Sequence, residues 1–162
     1  MMALDYEEDI DLINKQIHIH KNYDHKNNLV ISSTKTGKSR TIYITNECVE
    51  LIKQQIQLQK LKIIKHNLNR NIRFLFLNRT GKPVNLRDMN RELKKVGLGD
   101  KKISTHIFRH TFITYMVEAG VDKFLIANHV GNSVRMIDRV YSHFTNSMDQ
   151  QLQVEIDQHK II

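Results

Sequence analysis

The sequence is poor in the residues that staple, break or anchor a chain: one cysteine, one proline, six glycines and no tryptophan in 162 residues. The lone Cys48 excludes a disulfide framework and a thiolate metal cluster, and it points to a reducing, intracellular compartment. Scarce proline, with 40% hydrophobic and 26% charged residues, excludes fibrous and disordered classes in favour of a globular domain. No apolar run approaches the roughly 18 residues that cross a bilayer. The first residues carry acids where a signal peptide carries lysines, so the expectation is a cytoplasmic protein without a membrane segment.

Acidic residues are also scarce, and unevenly so. The net charge is +8, yet Asp5, Glu7, Glu8, Asp9 and Asp11 hold five of the 17 acids, and residues 1–11 contain no Lys or Arg. The rest of the chain therefore sets 25 basic residues against 12 acids, and residues 53–102 alone hold 14 Lys or Arg against Asp88, Glu92 and Asp100. Such a surface attracts a polyanion and releases counterions on binding it. A solubilising lysine coat has the same composition, so charge by itself decides nothing.

What is present divides into a strand-rich third and a helical remainder. Ile17 and Ile19 alternate with polar neighbours over Gln16–His20, Asn28–Ser32 is a short apolar run, and Arg40–Ile44 alternates again. With a polar, turn-like Asn22–Asn27 and a tight turn at Thr36-Gly37-Lys38-Ser39, the simplest arrangement is a three-stranded antiparallel meander. Thr45 or Asn46 is suited to cap a helix over Glu47–Ile64, with Val49, Ile52, Ile56, Leu51 and Leu58 expected on its buried side. Phe74–Leu77 is apolar and is closed by the loop signal Arg79-Thr80-Gly81-Lys82-Pro83. Helical patterns follow over Leu86–Val96 with Gly97 after it, from Thr105 or Ser104 to Ala119 with Gly120 after it, and over Asp122–His129, Ser133–Tyr141 and Ser147–His159. The expected fold class is α+β, a small three-stranded antiparallel sheet followed by a mainly helical bundle, as one domain over residues 1–162.

Three features carry chemistry. His106 and Arg109 are spaced i, i+3 on a helix, hence on one face, with His110 one position further round. A guanidinium beside an imidazole suits a phosphate, bridging two of its oxygens while the ring donates to one. Thirty-two residues after Arg109 comes Val140-Tyr141-Ser142-His143, and Lys35 stands where two strands turn. Singly, each has an ordinary explanation: a solvated helix face, a half-buried aromatic, a turn lysine.

In order along the chain, these pieces resemble the tyrosine recombinase (phage-type integrase) family. Residues 3–19 look like the segment after the family's first catalytic arginine, and Ser33-Thr-Lys-Thr-Gly-Lys-Ser-Arg-Thr-Ile-Tyr-Ile44 like the β-hairpin that carries its catalytic lysine. Phe76-Leu-Asn-Arg-Thr-Gly-Lys-Pro83 matches the loop before the next helix, Thr105-His-Ile-Phe-Arg-His-Thr-Phe112 the His-x-x-Arg box, and Val130-Gly-Asn-Ser133 with Val140-Tyr-Ser-His143 the nucleophile region. The resemblance implies that Tyr141 attacks a DNA phosphodiester to form a 3′-phosphotyrosine, with Arg109 and His106 on the nonbridging oxygens and Lys35 protonating the departing 5′ oxygen. It implies no metal and no cofactor. Double-stranded attachment-site DNA is the implied partner, with self-association as a tetramer on that DNA. The C-terminal tail, where Met148, Leu152 and Ile156 recur at helical spacing, is suited either to docking on a neighbouring subunit or to packing on its own domain. Arg40 and Lys38 are expected DNA contacts on the hairpin. His110 has two expected roles, packing beneath Arg109 or touching DNA.

Two departures from the family pattern stand out. Where it often has Leu-Gly-His, nine residues before the tyrosine, this chain has Val130-Gly131-Asn132. Asn132 can donate through its amide but cannot be charged. The first arginine, expected in a Gly-Leu-Arg-x-Gly-Glu-type stretch, falls before Ala3. The expectation is a chain cut before that residue and poorly active by itself, because a missing transition-state donor commonly costs on the order of a thousandfold in rate. Two rival readings have their own signals. His18-Ile19-His20 is a His-hydrophobic-His triplet of the kind with which rolling-circle nucleases and relaxases bind a divalent metal. The basic surface alone would serve a non-catalytic DNA-binding module.

Overall fold

The computed structural model describes residues 3–34, 37–96 and 103–142, and the chain divides into two compact units that meet at Ile103 and Ser104. In the first unit, strands β1 (Ile10–Asp11), β2 (Gln16–Ile19) and β5 (Arg40–Tyr43) form an antiparallel sheet in that order. Ile17 stands opposite Ile10 on one side and Ile42 on the other, so the alternation of Ile17 and Ile19 becomes the buried face of this sheet. Leu4, Ile10, Ile17, Ile19, Ile52 and Leu75 close that core, with Ile42, Ile44, Ile56 and Phe76 packed around it.

The expected meander is corrected here. Strand β4 (Leu29–Ile31) pairs not with β2 or β5 but with β3 (Asn22–Asp24), inside the stretch read as a turn, and β1 was not anticipated. Local chemistry explains both. The Asp24 carboxylate accepts from the backbone N–H groups of Lys26 and Asn27, and Asn28 adopts φ 55°, so the chain reverses at once and β4 meets β3 first. Likewise the Asp11 carboxylate accepts from Ile13 and Asn14, and Lys15 turns at φ 54°, folding β1 onto β2. The edge of β2 then goes to β5, whose Ile42 faces the core, whereas Leu29, Val30 and Ile31 are exposed.

Helix α1 (Asn46–Lys65) is capped by the Thr45 hydroxyl, which accepts from the Cys48 N–H. Its buried seam is Val49, Ile52, Gln59 and Ile63, while Leu51 and Leu58 are exposed, contrary to expectation. Leu58 loses its place to Gln59, whose Oε1 accepts from the Leu77 N–H while Gln55 donates to the Leu75 carbonyl. Two glutamines thus satisfy the Leu77 N–H and the Leu75 carbonyl, a gain that apolar patterning does not register. The loop that follows turns at Gly81, φ 79°, where an added Cβ would lie 2.9 Å from Ile72 Cδ1. Helix α2 (Leu86–Val96) has the bounds expected of it, and Gly97 lies outside the described residues.

The second unit is helical. Helix α3 spans Thr105–Glu118, with Ser104 at its N-cap and Gly120 in the left-handed region after it. Asp122 caps α4 (Lys123–Val130), its carboxylate accepting from Phe124 and Leu125, and Gly131 ends that helix at φ 68°. Residues 134–142 are helical again. Ile113 from α3, Ile126, Ala127 and Val130 from α4, and Ile137 form a second core, with Phe112, Met116, Val117 and Val140 packed against it. The expected helix Ser147–His159 and the C-terminal tail lie outside the described residues. No helix among the described residues is long and apolar enough to cross a membrane.

Candidate active site

The second unit holds most of the residues singled out from the sequence. Arg109 lies on α3, half-buried, and its Nη1 donates to the carbonyl oxygen of Val130 at 2.8 Å. Val130 is the last residue of α4, and a helix's final carbonyls lack intrahelical partners. The guanidinium is therefore anchored on one nitrogen by the turn that leads into Gly131 and Asn132. Asn132 is exposed, its backbone N–H donating to the Ala127 carbonyl at 2.9 Å and its Oδ1 accepting from the Ser133 N–H at 3.1 Å. The positive φ at Gly131 turns the chain between Val130, to which Arg109 is tied, and Asn132. His106 is exposed one turn before Arg109. His110 instead lines a surface depression with Ile107, Thr111, Thr114, Tyr115 and Glu118.

Tyr141 is half-buried on the 134–142 helix, whose Ile137 and Val140 seat it on the common core. Two residues that the sequence reading passed over adjoin it. The Lys123 ammonium lies 5.5 Å from the Tyr141 ring centroid and 2.6 Å from the Asp138 carboxylate. Accepting that hydrogen bond, Asp138 holds the Lys123 pKa above the ordinary lysine value. The legible signal was the spacing of Asp138 and Tyr141, i and i+3 on one helix face, with a lysine opening the preceding helix.

In the first unit, Lys35 lies outside the described residues, between Thr34 and Gly37. The Gly37 N–H donates to the Thr34 carbonyl at 2.9 Å, and the Thr34 hydroxyl donates to the Lys38 carbonyl at 2.7 Å. Lys38 is exposed there, and Arg40 opens β5 opposite Ile19. The two triplet histidines are divided between unrelated partners. His18 Nδ1 bonds the Thr41 hydroxyl at 2.9 Å, and His20 Nε2 meets the buried Asp9 carboxylate at 2.8 Å, which Lys21 also reaches at 3.0 Å. Among the described residues no group of three or more His, Cys, Asp or Glu side chains is gathered to hold a metal ion.

The fold, a small antiparallel sheet and a helical unit, is shared with solved structures. XerA recombinase superposes with TM-score 0.66 at 22% identity, over 99% of this chain and 52% of that one. The Tn1549 transposon integrase, solved with transposon right-end DNA, superposes with TM-score 0.67 at 19% identity, over 95% of this chain and 53% of that one. In sequence, a probable integrase of prophage ps2 from Lactococcus lactis subsp. lactis IL1403 is 27% identical over 127 residues, covering 74% of this chain and 33% of that protein. The integrase of Staphylococcus phage L54a is 26% identical over 163 residues, covering 92% of this chain and 45% of that protein. Residues 1–148 match the model of the phage integrase family, and the chain belongs to that family, the tyrosine recombinases. It spans a third to a half of the length of these curated relatives.

Proposed function

We propose that this chain is the catalytic part of a site-specific DNA recombinase, its two units working as one domain on a double-stranded attachment site. Tyr141 Oη forms a bond to phosphorus as the bond to the 5′ oxygen breaks, leaving a 3′-phosphotyrosine. Lys35 protonates the departing 5′ oxygen, and His106 or water takes the phenol proton. Arg109 and His106 hold the nonbridging oxygens while phosphorus is five-coordinate, and Asn132 donates one uncharged hydrogen bond where the family often has histidine. The covalent link conserves the phosphodiester's energy, so the 5′-hydroxyl of another strand can reverse the step without ATP. Arg40 and Lys38 add cationic contacts along the DNA backbone.

The observation that supports this reading is that the helices of Arg109 and Tyr141 pack on one core in the second unit. Arg109 is tied to the Val130 carbonyl beside Asn132, and the helix of Tyr141 packs through Ile137 and Val140 on the same core as α3 and α4. One small core thus underlies the helices that carry Arg109 and Tyr141, and Asn132 follows the turn to which Arg109 is tied. Self-association on DNA through the C-terminal tail belongs to the same proposal, as does a second guanidinium supplied ahead of Ala3.

The test uses a nicked duplex that traps covalent protein–DNA adducts, and a polypeptide in which residues 1–162 follow an N-terminal part bearing that first arginine. The expected result is a 3′-linked adduct that disappears in Tyr141→Phe while duplex binding persists. An adduct that survives Tyr141→Phe, or a 5′-linked one that needs Mg or Mn, would overturn the proposal in favour of the rolling-circle chemistry. Binding with no adduct in either protein would leave only a DNA-binding module.

A further inference from the structure

Lys123 is an odd residue for its position. It is the first residue of α4, where the unpaired N–H groups and the positive end of the helix dipole disfavour a cation. The capping function is already met by Asp122. What Lys123 gains is on the neighbouring helix. Asp138 takes its ammonium at 2.6 Å, and Tyr141, one turn further on, presents its ring 5.5 Å away. Spacing i, i+3 puts the carboxylate and the phenol on one face, so the same ammonium serves both. A cation within about 6 Å of an aromatic centroid is attracted by the ring quadrupole, most weakly where water screens it.

We infer that Lys123 is a positioning residue for the Tyr141 nucleophile: its ammonium, anchored by Asp138, bears on the phenol ring and restrains it for attack. The inference rests on the proposed role of Tyr141 and adds to it. A tyrosine side chain has several rotamers, and each unproductive one lowers the fraction poised to react. Asp138 sets where the ammonium sits, since a flexible four-carbon stem alone would not hold it over the ring. The restraint needs both the positive charge and its tether. A lysine without Asp138, or a methionine of similar length at position 123, keeps the packing but loses the hold.

The test combines a rate with a spectroscopic reading of the ring itself. In the extended polypeptide, single-turnover adduct formation on the nicked duplex is compared for wild type, Lys123→Met, Lys123→Arg and Asp138→Asn. Lys123→Met should slow adduct formation roughly two- to fivefold, the size of an exposed cation–π contact, without changing duplex affinity. Asp138→Asn should fall between that variant and wild type, and Lys123→Arg should recover most of the rate. With 3-fluorotyrosine incorporated, the fluorine resonance that Tyr141→Phe removes should move in Lys123→Met and return in Lys123→Arg, before any DNA is added. An unchanged rate and resonance in Lys123→Met would overturn the inference, with the role of Tyr141 intact. Faster adduct formation would also overturn it, making the contact a brake. An adduct that persists in Tyr141→Phe would sink the proposed function instead, and this inference with it.

Discussion

Arg109 shows how a backbone carbonyl can orient a single guanidinium. One guanidinium nitrogen is committed to the Val130 carbonyl at 2.8 Å, which orients the planar group, and a guanidinium so oriented still offers further N–H donors on its fork. Lysine cannot divide its charge in this way. Its ammonium either stays on the carbonyl or leaves for the phosphate, as a point charge without a fork. Arg109→Lys should therefore lower the single-turnover cleavage rate on the order of a hundredfold or more, the range for removing an oriented transition-state donor, with duplex affinity changed only a few-fold. A rate within threefold of wild type would show that charge alone suffices. The His-x-x-Arg spacing was legible in the sequence because i, i+3 is a property of any helix. The Val130 anchor was not, because it joins residues 21 apart in the chain through a backbone atom.

At the scale of elements, the helix of Tyr141 depends on Ile137, which is fully buried among Ile113, Ile126, Ala127 and Val130. Ile137→Ala should destabilise the second unit by about 2–5 kcal/mol, the usual cost of truncating a buried Ile, and under the proposed role of Tyr141 should weaken adduct formation, because its helix loses its seat. Thermal and urea melts check the first part and the nicked duplex the second. A loss under about 0.5 kcal/mol would mean that this helix is not held by that core. The helices themselves were legible to within a residue or two, since α2, α3 and α4 combine apolar period with caps at Ser104 and Asp122 and stops at Gly120 and Gly131. The sheet was less so. Gln16–Ile19 and Arg40–Tyr43 were recognisable strands, but which edge meets which was decided by two carboxylates, Asp11 and Asp24, that fold short local turns. Leu58 and Gln59 failed for a similar reason, because a buried glutamine with a backbone partner outcompetes an apolar neighbour that has none.

At the scale of the whole molecule, the charge is partly spent within the fold. Lys21, Lys53, Arg73, Arg91, Lys95 and Lys123 are each paired with acids, and Arg73 alone engages Asp5, Glu7 and Glu8. Asp5, Glu7, Glu8 and Asp9 thus answer basic residues of their own unit, while the chain as a whole keeps a net charge of +8. If that excess engages DNA phosphates, the logarithm of the association constant must fall linearly with the logarithm of salt concentration. A slope of about −4 to −5 would correspond to roughly five neutralised phosphates. Tyr141→Phe removes a hydroxyl and no charge, so it should leave this slope unchanged while abolishing the adduct. A lysine coat that serves only solubility gives a shallow slope with affinity too weak to saturate at moderate salt, and fluorescence anisotropy on a short duplex at several salt concentrations separates the two. If Tyr141→Phe flattened the slope, the tyrosine would be helping to shape the binding surface. The separation of binding from chemistry on which the recombinase reading depends would then fail.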